Sequence, residues 1–77
     1  MDKISVGSLV LPKREYVVLD AKKKLSKNSK LILWNYPQFG IILEIENYMQ
    51  LAKDCWIYVG TENGAGYCLY SDVYMIL

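Results

Sequence analysis

The stretch CWIYVGTENGAGYCLYSDVYMIL, Cys55–Leu77, decides how this 77-residue chain is read. Its first five residues alternate: Cys55, Ile57 and Val59 fall on one face of an extended segment, Trp56 and Tyr58 on the other. Side chains of a strand point to opposite faces with a period of two, so an apolar inner face and an aromatic outer face are expected. Gly60–Gly66 then supplies turn chemistry, with Asn63-Gly64 as the strongest hairpin signal because both residues tolerate positive φ. Tyr67–Tyr70 reads as the return strand. Ser71-Asp72 suits a tight turn, in 3₁₀ form, since short polar side chains cap nearby amides. Tyr74–Leu77 reads as a last short strand.

The same rhythm extends towards the N-terminus. In FGIILEIENY, Phe39–Tyr48, Ile41, Leu43 and Ile45 share one face, while Ile42, Glu44, Glu46 and Tyr48 share the other. The first set is wholly aliphatic, which makes it the expected core face. Met49–Asp54 is an expected loop. Val6–Leu11 reads as the first strand, ended by Pro12, which lacks a ladder donor. Tyr16–Leu19 and Leu31–Trp34 are short strands on either side of DAKKKLSKNSK, Asp20–Lys30, whose one large apolar residue is Leu25. No segment sustains a helical period. A flat sheet of this size would leave an apolar face wet, and partial closure also removes exposed edges. The expectation is an all-β fold: a small, partly open β-barrel of five to seven short strands, one domain over residues 1–77, with a long loop or hairpin insertion at 13–38 after the first strand.

Composition narrows the function. The chain is 53% hydrophobic and 22% charged, globular rather than disordered. No apolar run approaches the ~20 residues that span a bilayer, so no membrane role is expected. The start MDKISVGSLVL lacks the pattern of a signal peptide, and two cysteines are too few for a secreted disulfide framework. A reduced, intracellular setting follows. Residues 1–30 carry eight Lys/Arg against three acids, and residues 31–77 one Lys against five acids. That asymmetry hints at a polar interaction surface, well short of the basicity of dedicated DNA binders.

The segments VGSLVLP, GIILEIE, CWIYVG and YCLYSDVYMI, with a Gly-rich turn between the last two, resemble the small SH3-like barrels common among short phage proteins, similar in rhythm to KOW-type domains. The matching positions are Gly7, Leu9 and Val10; Gly40, Ile41, Ile42 and Glu44; Trp56, Tyr58 and Val59; and Cys68, Asp72, Val73 and Ile76. They outline about 50 of the 77 residues, and the 13–38 insertion is longer than the minimal pattern. The resemblance implies an SH3-like barrel, a non-enzymatic binding role, and a place in the host cytoplasm or the virion rather than outside the cell. Barrels of this type bind proline-rich peptides, other proteins, RNA or DNA, or act as structural plugs in phage particles.

The residues themselves argue in the same direction. There is no histidine, which removes Ser-His-Asp and Cys-His systems. Two cysteines without histidine fall short of the four N or S ligands a zinc site normally takes, and their spacing is not that of a redox pair, so no metal and no cofactor are expected. With a symmetric turn near residues 61–62, Cys55 and Cys68 would face each other across the hairpin; core packing is the simplest role for both. Glu44 and Glu46 point to one side of a strand, yet a chain this small has little room for a pocket that would separate their pKa values. Walker and dinucleotide-type glycine motifs are absent, and no enzymatic activity is expected.

Two surfaces stand out. Trp56, Tyr58, Tyr67 and Tyr70 form the candidate partner-binding set, since exposed Trp/Tyr clusters are typical hot spots for a protein partner. The competing reading buries them beneath the 13–38 insertion. The alternative is nucleic-acid binding through the basic loop Lys22, Lys23, Lys24, Lys27 and Lys30 with Trp34, Tyr36 and Phe39, because lysines contact phosphates and aromatics stack on bases. Self-association into a homo-oligomer through an exposed strand edge is a third reading.

Overall fold

The structure, a computed structural model, describes residues 5–21, 30–46 and 55–76. Among these residues it contains seven strands and one 3₁₀ turn. The strands are β1 (Leu9–Pro12), β2 (Tyr16–Asp20), β3 (Leu31–Asn35), β4 (Gly40–Ile45), β5 (Trp56–Thr61), β6 (Gly64–Leu69) and β7 (Val73–Met75), and the turn spans Tyr70–Asp72. They build one antiparallel sheet in the order β3-β2-β6-β5-β4-β1-β7. The sheet curls into a half-barrel, compatible with an SH3-like barrel. Of the loop or hairpin expected at 13–38, the described residues form two paired strands, β2 and β3.

The concave side is the core. Val10, Val17, Leu19, Trp34, Ile42, Ile57, Val59, Cys68 and Val73 form one buried cluster, with Ile32, Ile45, Tyr70 and Met75 packed on it. Each large apolar side chain buried there contributes roughly 1.5–3 kcal/mol. The alternation expected for β5 holds: Cys55, Ile57 and Val59 are buried, and Trp56 and Tyr58 point the other way, half-buried.

Two expectations are corrected. In β4 the inward residues are Gly40 and Ile42, whereas Ile41 and Leu43 are 45% and 47% exposed. Ile41 pairs with Gly60 and Ile42 with Val59, but a bulge between Ile42 and Glu44 resets the pleat, so that Ile45 opposite Ile57 turns inward again. An extra residue in one strand shifts its later side chains to the other face. In β1, Pro12 belongs to the strand and is fully buried. It pairs with Val73 of β7, but β4 reaches only Leu9 and Val10, so no ladder donor is missed at Pro12.

The curl depends on two close approaches. A methyl group at Gly40 would lie 2.5 Å from Val59 Cγ1 and 2.8 Å from Trp34 Cζ2, so the glycine leaves room for the indole. The Trp34 Nε1–H donates to the Gln38 carbonyl at 2.8 Å. At Gly66 a methyl group would lie 2.7 Å from Leu19 Cβ, and here β2 meets β6 through the Asp20–Tyr67 pair. The β5–β6 turn then folds over β3: Asn63 Nδ2 donates to the Leu33 carbonyl at 2.9 Å.

Gly40→Ala is expected to destabilise the protein by about 1–3 kcal/mol through overpacking. A urea midpoint unchanged by that substitution would show that the indole is not seated on Gly40.

Candidate binding groove

The outer face of the sheet is organised by register. Glu44 opposes Tyr58, Tyr58 opposes Tyr67, and Tyr67 opposes Asp20, so one row crosses β4, β5, β6 and β2. One step along, Trp56 opposes Leu69. The Tyr58 and Tyr67 rings lie 4.7 Å apart between centroids with a tilt of 47°, a favourable aromatic geometry. Trp56, Tyr58 and Tyr67 are all half-buried.

The described residues of the β2–β3 hairpin form a wall beside this face. Val18 and Leu31, 44% and 57% exposed, stand with Trp56, Tyr67 and Leu69 around a cavity of about 270 Å³. Asp20, Cys68 and Asp72 also line it. A second cavity of about 470 Å³ is lined by Arg14, Glu15, Tyr16, Val17, Val18 and Asp72. Val18 and Asp72 belong to both, so the two cavities meet there. At that junction Arg14 Nη1 donates to Asp72 Oδ1 at 2.9 Å. The other Asp72 oxygen accepts the Leu69 N–H at 3.3 Å and so anchors the 3₁₀ turn. Asp20 is the buried acidic side chain among the described residues, 7% exposed.

Of the four residues expected to bind a partner, Trp56, Tyr58 and Tyr67 share the outer face. Tyr70 stands apart: it begins the 3₁₀ turn, packs against the core, and its N–H donates to the Cys55 carbonyl at 2.8 Å. Sequence reasoning missed the contributions of Val18, Leu31, Leu69, Arg14, Asp20 and Asp72. The signal was present in YVVLD, where Tyr16, Val18 and Asp20 share the face opposite Val17 and Leu19.

The alternative, basic surface is divided. Lys22, Lys23, Lys24 and Lys27 lie outside the described residues, as do Tyr48 and the expected loop at 49–54. Lys30 is exposed. Tyr36 and Phe39 are 56% and 58% exposed. Trp34 is corrected: it is fully buried, the largest such side chain among the described residues, and offers no ring face to a base.

The cysteines do not face each other. The hairpin turns at Glu62-Asn63 with Thr61 opposite Gly64, so Cys68 opposes Ile57 and Cys55 lies two residues out of register. Thr61 holds this turn, its hydroxyl donating to the Gly64 carbonyl at 2.7 Å and accepting the Asn63 N–H at 3.2 Å. Both cysteines are buried, and neither is in a disulfide. The Cys55 thiol donates to the Glu46 carbonyl at 2.7 Å. Burial, and then the nearby Asp72 charge, push the Cys68 thiol from its ordinary 9.0 up to about 12. Among the described residues no group of three His, Cys, Asp or Glu could hold a metal ion, and no helix is long and apolar enough to cross a membrane. The chain matches no family model, no curated protein and no solved structure.

The Cys68 shift carries a sign. The unfolded chain releases this proton near pH 9, and the folded chain holds it to about 12. Stability from the buried thiol is complete below pH 9 and is lost progressively as pH rises towards 12. Urea unfolding of wild type and Cys68→Ala at pH 8, 9 and 10 is expected to show a steeper decline for wild type. Parallel declines would mean that the thiol is not shielded as described.

Proposed function

We propose that this chain is a non-enzymatic binding module of the SH3-like, phage type, acting in the host cytoplasm or in the virion. It holds a protein partner on the outer face of β2, β6 and β5. The observation that carries this reading is the furrow between Val18 and Leu31 on one side and Trp56, Tyr67 and Leu69 on the other. Binding sites are concave, mostly apolar and fitted with a few polar groups, and here Asp20 and Asp72 supply those groups. Aromatic side chains with one apolar surface and one polar tip are enriched at interface hot spots. Tyr58 supports the site from the side by its ring contact with Tyr67. The phage-type identity rests on the spacing of Gly7, Leu9, Gly40, Glu44, Trp56 and Asp72.

The test is affinity capture from the organism that carries the protein, using wild type and a Trp56→Ala, Tyr67→Ala double variant whose circular dichroism matches wild type. Wild type is expected to retain a partner that the variant loses by at least tenfold. Equal recovery of every captured protein by both would overturn the groove as the binding face.

A further inference from the structure

The furrow carries a chemical preference. Among the described residues, the charged side chains along the smaller cavity are Asp20 and Asp72. In the larger cavity they are Arg14, Glu15 and Asp72. The pair at the junction is lopsided: Asp72 is 19% exposed and fixed by the Leu69 N–H, whereas Arg14 is 63% exposed. A hydrogen bond from a single guanidinium nitrogen joins them. Exposed ion pairs of this kind contribute little, because side-chain entropy and solvent screening offset the attraction. Arg14 therefore occupies a fixed carboxylate without holding it strongly. When Arg14 swings aside, the charged side chains left along the larger cavity, among the described residues, are Glu15 and Asp72, both negative.

Resting on the groove reading above, we propose that the occupant is a polypeptide segment pairing aliphatic side chains with an arginine, and that this arginine replaces Arg14 on Asp72. The aliphatic side chains rest against Trp56, Tyr67, Val18 and Leu31. The incoming guanidinium inherits an acceptor already oriented by the Leu69 N–H, so the carboxylate needs no reorganisation. Arg14 acts as an internal competitor that keeps Asp72 paired while the furrow is empty. Charge complementarity of this sort contributes more to selectivity than to affinity, since a like-charged segment meets acids along the furrow.

The experiment uses the full chain and two fluorescein-labelled peptides, Ac-GLRLRLG and its counterpart Ac-GLELELG, titrated by anisotropy at low salt. Three proteins are compared: wild type, Arg14→Ala and Asp72→Asn. The expected result is at least tenfold tighter binding of the arginine peptide to wild type. Arg14→Ala should tighten that binding by about two- to fivefold, in keeping with a weak exposed pair. Asp72→Asn, which keeps an oxygen for the Leu69 N–H, should erase most of the preference. Trp34 and Trp56 make the location readable by nuclear magnetic resonance: the Trp56 indole N–H should shift on titration and the buried Trp34 N–H should not. Equal affinity for both peptides with a shift at Trp56 would overturn the arginine exchange while leaving the groove in place. Binding of neither peptide would overturn the exchange too, and the partner-capture comparison then decides the groove separately. Weaker arginine-peptide binding by Arg14→Ala would also overturn it, since Arg14 would then be aiding the ligand rather than competing with it.

Discussion

The seating of the Trp34 indole against Gly40 is the contact on which the rest of the architecture depends. These residues sit on β3 and β4, which lie four steps apart in the sheet order. Their contact therefore crosses the interior rather than running along the ladder. A sheet that carries such a contact cannot lie flat. Its two halves are drawn together over Val59, and the Nε1–H bond to the Gln38 carbonyl fixes the depth of the ring. Burying an aromatic of this size without leaving its N–H unpaired is among the larger stabilising contributions open to a small domain. In a chain that buries only about 60% of its unfolded surface, losing it would be costly.

The curl also makes the outer face usable. Because β2 approaches β6 closely at Gly66, the described residues of the hairpin lie alongside the aromatic strands. Trp56 and Tyr67 become one bank of a furrow and Val18 and Leu31 the other. The hairpin thus serves both surfaces: Val17, Leu19 and Trp34 fill the interior, and the intervening residues build the outer wall.

Much of this was legible in the residues, and the failures have physical causes. The alternation of β5 named its inner and outer faces correctly because nothing interrupts that strand. The same reasoning inverted part of β4, since a bulge between Ile42 and Glu44 shifts the pleat and strict alternation carries no mark of it. Asn63-Gly64 pointed to the right hairpin but not to its register, which the Thr61 hydroxyl settles through contacts made after the chain has turned. Trp34 looked available for stacking because its strand follows a lysine-rich segment. Only the approach of Gly40, six residues further on, reveals where the ring goes. The groove was half visible: its aromatic bank lies in one strand and its partner strand, while the aliphatic bank comes from a hairpin some 40 residues earlier.

The Asn63 bond to Leu33 has a consequence for how the molecule behaves in a crowd. Leu33 belongs to the edge strand of the sheet, and an open edge invites another chain to add a strand, the first step towards aggregation. In β3 the Leu19–Ile32 and Val17–Trp34 pairs face β2, so the Leu33 carbonyl points away from it, and the Asn63 amide occupies that position. The neighbouring Asn35 carbonyl accepts the Gln38 N–H at 2.9 Å. The edge is thus plugged at two successive outward carbonyls by the chain's own turns. At the opposite edge β7 is only three residues long, a short template for another strand. Leu31, Leu33 and Val18 thus stay open to solvent beside a backbone edge that has already been spoken for.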